Sequence, residues 1–99
     1  MKEITGFRRD ILYTLLGTDE PSGAEINEML EDHYSGTVYH GRLYDNLDTL
    51  IERDFVVKSQ IDGRTNSYKL TDKGERAILD HHNWQAGFVD ESEPPLAAD

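Results

Sequence analysis

The chain has 99 residues, enough for one small domain, and 36% of them are apolar. Twenty acids against ten bases leave a net charge of −10, and there is no cysteine, which excludes disulfides, thiolate zinc sites, iron–sulfur clusters and thiol redox sensing within the chain. A core of this size leaves no room for a buried catalytic cavity with its supporting shells, and no run of 18 or more apolar residues is present to span a membrane.

The N-terminal MKEITGFRRDIL has charges on both sides of its few apolar residues and does not read as a signal peptide; a soluble cytoplasmic protein is expected. Phe7, Ile11, Leu12, Leu15 and Leu16 then recur at helical spacing, with Thr5 as N-cap and Gly17 as stop. Residues 18–23, punctuated by Pro21 and Gly23, read as a turn. A second helix over Gly23 to Tyr34 turns Ile26, Met29 and Leu30 inward, and Ser22 with Glu25 three residues on forms a capping box. After SGTV, and a short extended piece at Val38 and Tyr39, a third helix runs from about His40 to Asp54 with one core stripe of Leu43, Leu47, Leu50 and Ile51. FVVKSQ reads as a strand, IDGRTN as a hairpin tip on an Asp62-Gly63 signal, and NSYKL as the return strand. Thr71 caps a last helix over about residues 71–85, with Ala77, Ile78, His81 and Trp84 towards one side; Gly74 stands where a capping box would place Glu. The segment 88–99 is acidic, contains proline, has no periodicity and is expected to be disordered.

Residues 90–99 carry four acids and no base, so −6 remains on residues 1–89. Lys is scarce (Lys2, Lys58, Lys69, Lys73), Arg outnumbers it and Asp is abundant. High net charge keeps proteins apart, and this bias fits adaptation to high salt. A DNA mimic or an acidic partner-binding protein would have a similar balance.

Three helices, a two-stranded hairpin and a fourth helix make an α+β, mainly α, layout, that of a winged helix-turn-helix over residues 1–87. The segments GFRRDILYTL (Gly6 to Leu15), GRLYDNLDTLIERDFV (Gly41 to Val56) and IDGRTNSYKLTDKG (Ile61 to Gly74) together resemble the PadR-like transcriptional regulators of the small haloarchaeal type, over about residues 4–85. The resemblance implies a winged-helix fold, a homodimer built through the last helix and helix one, and operator binding that usually represses transcription. Asp45 departs from the pattern, which favours Pro early in that helix, and the C-terminal region is too short for the larger dimerisation domain of some relatives.

Recognition helices read bases with their N-terminal turns. That makes Tyr39, His40, Gly41, Arg42 and Asn46 the candidate DNA contacts. Arg can pair with guanine and Asn with adenine, and Gly41 lets the backbone approach a phosphate. Tyr44 lies at the edge of the core stripe, as a packed tyrosine or a DNA contact. In the wing, Arg64 fits a phosphate or the minor groove, and Thr65 and Asn66 fit phosphate or turn chemistry. Arg8 and Arg9 sit where basic charge opposes the helix dipole, which suggests a phosphate or an inter-subunit acid as partner. Asp48, Glu52 and Asp54 fall in the C-terminal half, away from a groove entered only by the first turns. Phe7, Ile78, His81, Trp84 and Phe88 are assigned to the dimer interface, since an exposed Trp84–Phe88 pair asks for cover. No metal site is expected from the four histidines, because adjacent histidines on a helix point apart and no i, i+4 pair occurs. No nucleophile with a positioned base and no phosphate loop is present, so neither an enzyme nor a cofactor is expected. The expected partners are double-stranded DNA and a second copy, and the acidic surface leaves room for cations at the DNA interface. The competing expectation is a module that binds protein rather than DNA, an anti-repressor or DNA mimic on the same scaffold.

Overall fold

A computed structural model of the chain describes residues 4–89, so the expected disorder of the tail lies outside the described residues from Asp90 on. Its order is α1 (Gly6–Leu16), α2 (Gly23–Tyr34), α3 (His40–Glu52), β1 (Val56–Gln60), β2 (Asn66–Leu70) and α4 (Asp72–Ala86). The fold is mainly helical, four helices and one antiparallel pair of strands, a winged helix-turn-helix.

The caps fall where the sequence puts them. Thr5 caps α1 by accepting from the Arg8 amide at 3.4 Å. Ser22 and Glu25 exchange both bonds of a capping box, at 3.1 and 2.8 Å. α2 ends on Ser35 in the left-handed conformation, φ 57°. α3 is two residues shorter than expected, because Asp54 turns left-handed (φ 67°) and starts the corner into β1.

The core gathers Phe7, Ile11, Leu12 and Leu15 of α1, Ile26 and Leu30 of α2, Leu43, Leu47 and Leu50 of α3, and Ile78 of α4, closed by Val38, Phe55, Val56 and Tyr68. The strands pair in register from Val56 opposite Leu70 to Gln60 opposite Asn66. Segment 18–23 is more than a turn. The Pro21 carbonyl accepts from the Tyr68 amide at 3.0 Å, and Ser22 bridges Ser67, so this connection lies along β2 like a one-residue third strand. Proline, which has no amide to donate, still serves here as acceptor on an edge.

One corner fixes where the wing leaves the helices. Thr71 caps α4 by accepting from the Gly74 amide at 2.9 Å while its hydroxyl donates to the Asp54 carbonyl at 2.6 Å. A Cβ at Gly74 would strike the Phe55 carbonyl oxygen and lie 3.0 Å from its carbon. The missing Glu of the expected capping box therefore has a steric reason: α4 enters against the backbone of Phe55.

Candidate nucleic-acid interface

α3 presents its Leu43–Leu47–Leu50 edge to the core and its first turns to solvent. Its N-cap residue, Tyr39, is extended, 74% exposed and makes no side-chain cap bond. His40, Gly41, Arg42, Tyr44 and Asp45 are exposed with it. The space where a Cβ of Gly41 would lie is open. His40 and Tyr44 meet edge to face, ring centroids 6.1 Å apart.

Tyr44 leans across the start of α2. A Cβ at Gly23 would come within 2.8 Å of its ring, so glycine at this position admits the tyrosine. Tyr44 then forms one wall of an open cleft of about 460 Å³ between helices and wing, shared with Ser22, Gly23, Arg64, Thr65, Asn66 and Tyr68. The structure thus brings four of the expected DNA contacts, Tyr44, Arg64, Thr65 and Asn66, around one opening. Burial pushes the Tyr68 hydroxyl above its ordinary pKa, with Tyr44 and Asp48 adding to the effect, so it stays a neutral donor at the base of the wing.

The wing tip spans residues 61–65, within the expected IDGRTN segment, and is not a two-residue type I′ turn. Among the described residues no glycine has positive φ, which a type I′ turn would demand. Instead the Asp62 carboxylate accepts from the amides of Arg64 (2.8 Å) and Thr65 (2.9 Å), and the Ile61 amide donates to the Thr65 carbonyl at 2.7 Å. Those two amide bonds hold the Asp62 carboxyl below its usual pKa.

Arg42 and Asn46 are less free than their place on the helix suggests. The Arg42 guanidinium lies over the Phe7 ring, 3.9 Å from its centre. The Asn46 carbonyl accepts from Arg8 Nε at 2.7 Å, and its amide donates to the Arg42 carbonyl, also at 2.7 Å. This grip is not legible locally, because Phe7 reads as an apolar interface residue and Arg8 as the partner of a phosphate or an inter-subunit acid, and nothing nearby in sequence pairs them with residues 35 or more positions away.

The residues assigned to a dimer contact separate. Phe7 packs within the chain, its ring stacked with Tyr34 at 6.2 Å, and Ile78 is fully buried in the core. His81 is half-buried, with Nε2 shielded and without a hydrogen-bond partner among the described residues; burial first, then Arg9, lowers its pKa. Trp84 and Phe88 meet edge to face at 5.1 Å and are 62% and 75% exposed, so α1 does not cover them.

A profile of the transcriptional regulator PadR-like family matches residues 11–80. The chain belongs to the PadR-like family. RosR of H. salinarum, a structure grown from NaBr, is similar to it at 41% identity with a TM-score of 0.83, over 91% of this chain and 82% of that one. A complex structure of RosR gives 40% identity and a TM-score of 0.84, over 92% and 81%. CouR, a transcriptional repressor bound to a 23-mer DNA duplex, shares the fold at 22% identity and a TM-score of 0.74, over 85% of this chain and 56% of that one. A search of curated protein sequences found no match. The PadR-like family is one of transcription regulators, not enzymes. Among the described residues, no helix of this PadR-like chain is long and apolar enough to cross a membrane, and no three of its His, Asp or Glu side chains gather as a metal site would require.

Proposed function

We propose that this chain is a sequence-specific DNA-binding regulator, a repressor that works as a homodimer in a salt-rich cytoplasm. The observation that carries the reading is the pairing of α3 with the wing: Tyr44 of α3 and Arg64, Thr65 and Asn66 of the wing border one cleft, one turn on from the exposed start of α3. Tyr39, His40, Gly41 and Arg42 enter the major groove, Tyr44 and Asn46 support them, and Arg64, Thr65 and Asn66 meet phosphate or the minor groove. CouR, of the same fold, is bound to a DNA duplex. The exposed Trp84 and Phe88, with His81 beneath, are the contact to a second copy. A two-fold dimer of this kind reads two half-sites about one helical turn apart, hence a pseudo-palindromic operator.

Acidity favours a second reading, a partner for proteins rather than DNA, since Asp45 and Asp48 stand on the same exposed face. Titration of the purified chain against genomic fragments across a range of KCl decides between them. Conventional interfaces lose affinity steeply as salt rises through counterion release. Here cations must enter between carboxylate and phosphate, so affinity stays flat or rises in the high-salt range. Absence of binding at every salt concentration favours the protein-partner reading, and a steep fall shows an ordinary basic interface. In the same assay Arg42→Ala weakens specific binding by about tenfold, a typical value for one base contact, and random DNA less; equal loss on both makes Arg42 a phosphate contact.

A further inference from the structure

The geometry points to the first turn of α1 as the element that sets the pose of the reading helix: Arg8 is a positioning residue, and Asn46 is a brace rather than a base reader. The inference rests on the DNA-binding reading above and adds to it a role for residues that do not touch DNA.

Two consecutive residues of α1 grip α3 at points one turn apart. Phe7 carries the Arg42 guanidinium on its face. Arg8 Nε donates to the Asn46 carbonyl, and the Asn46 amide returns to the carbonyl of Arg42. Both polar ends of Asn46 are therefore engaged within the chain; one N–H and one lone pair remain, but the two bonds fix the orientation of the amide, so turning it to pair with an adenine edge would break the grip. The bond from Arg8 is charge-assisted and short, and Asn46 is half-buried, which favours its persistence. α3 has no side-chain cap at its own start, so the grip from α1 supplies the fixing that the helix end lacks. Base reading depends on side chains held within a fraction of an ångström, and such precision comes from supporting contacts behind the reading residues. The ring of Phe7 also stacks with that of Tyr34.

The test compares a preferred duplex, selected by the unsubstituted chain, with a random one. It uses the full chain with Arg8→Ala, Asn46→Ala, the double variant and Arg8→Gln. Gln places its amide nitrogen the same number of bonds from the backbone as Arg Nε, so it keeps the donor and removes the charge. Arg8→Ala and Asn46→Ala are each expected to lower the ratio of specific to random affinity by about tenfold. The double variant loses no more than either, and Arg8→Gln restores the ratio to within about threefold. Thermal unfolding midpoints of all variants stay close to that of the parent. Losses that multiply in the double variant overturn the inference, as does loss for Asn46→Ala alone, which makes Asn46 a base contact. No rescue by Arg8→Gln makes Arg8 a charge on phosphate and overturns it too, and so do losses that track the unfolding midpoint. If the unsubstituted chain selects no duplex, the DNA-binding reading fails first and takes this inference with it.

Discussion

At Gly74 a single hydrogen atom in place of a methyl group decides whether α4 can dock. Alanine there would gain about 1 kcal/mol of helix propensity over glycine. Against that stand the Phe55 carbonyl group and Leu70 Cδ2, 3.3 Å from a Cβ, and the first of these is backbone that cannot swing aside. Overpacking of this kind costs about 1–3 kcal/mol. Gly74→Ala is therefore expected to lower stability by about 2 kcal/mol and the melting temperature by ~10 °C, measured by thermal unfolding. An unchanged or raised melting temperature would show that α4 can slide away from Phe55. Gly23 has the opposite character, because the atoms facing it belong to the Tyr44 ring, the movable end of a side chain. The sequence shows a glycine in the first turn of each of the four helices, but that Gly74 faces the Phe55 backbone and Gly23 the Tyr44 ring depends on residues 19 and 21 positions away.

At the scale of elements, α1 and α2 are joined at the surface by the Tyr34 hydroxyl, which donates to the Asp10 carboxylate, and by the Phe7–Tyr34 stack. Partial burial first, and the Asp10 carboxylate second, push the Tyr34 pKa up from 10.0 to about 12. The folded chain thus holds this proton more tightly than the unfolded one. The contribution to stability is whole below pH 10 and is lost as pH rises towards about 12. Denaturant unfolding of the parent and Tyr34→Phe should differ by a constant amount below pH 10 and by a shrinking amount above it; a difference that does not change with pH would remove Asp10 and burial as the cause. The helices themselves were legible from apolar spacing and caps, and the capping box at Ser22 and Glu25 placed the start of α2 to the residue. The strand-like pairing of Pro21 and Ser22 with β2 was not, since one residue pair carries no periodicity and its partner comes from the wing. The turn at Asp62 was legible as a turn but not in type, because a carboxylate that accepts two amides does the work that positive φ does in a shorter loop.

At the scale of the whole molecule, the chain keeps its core to itself and leaves the Trp84–Phe88 pair outside. Ile78 and Phe7 complete the interior, while Trp84 and Phe88 contribute almost nothing to it. Trp84→Ser should therefore separate two properties that usually fall together. Sedimentation should show dimer affinity reduced by about 30-fold or more, the size expected for a central tryptophan, while the unfolding of dilute monomer changes little. A variant that lost both equally would place Trp84 in the core. Spacing alone put Trp84 on the same side as Ala77 and Ile78, and the single chain could not reveal that α1 stops short of it. The exposure of the candidate DNA contacts Tyr39, His40 and Arg42 was legible from their place at a helix start, which needs no distant partner to be recognised.

The corner of Asp54, Phe55, Thr71 and Gly74 has a consequence for how such a chain can change over generations. An inserted residue between Arg53 and Val56, or between Leu70 and Gly74, would break a left-handed turn, a two-way hydroxyl bond and a backbone contact together. Added residues at 61–65 lie beyond the last strand pair and cost the local bonds of Asp62 and Ile61 with Arg64 and Thr65 plus loop-closure entropy, the latter well under ~1 kcal/mol per doubling of length. Lineages descending from this fold should therefore vary the reach of the wing more readily than the distance from α3 to α4 at its root, a longer or shorter arm on an unchanged shoulder.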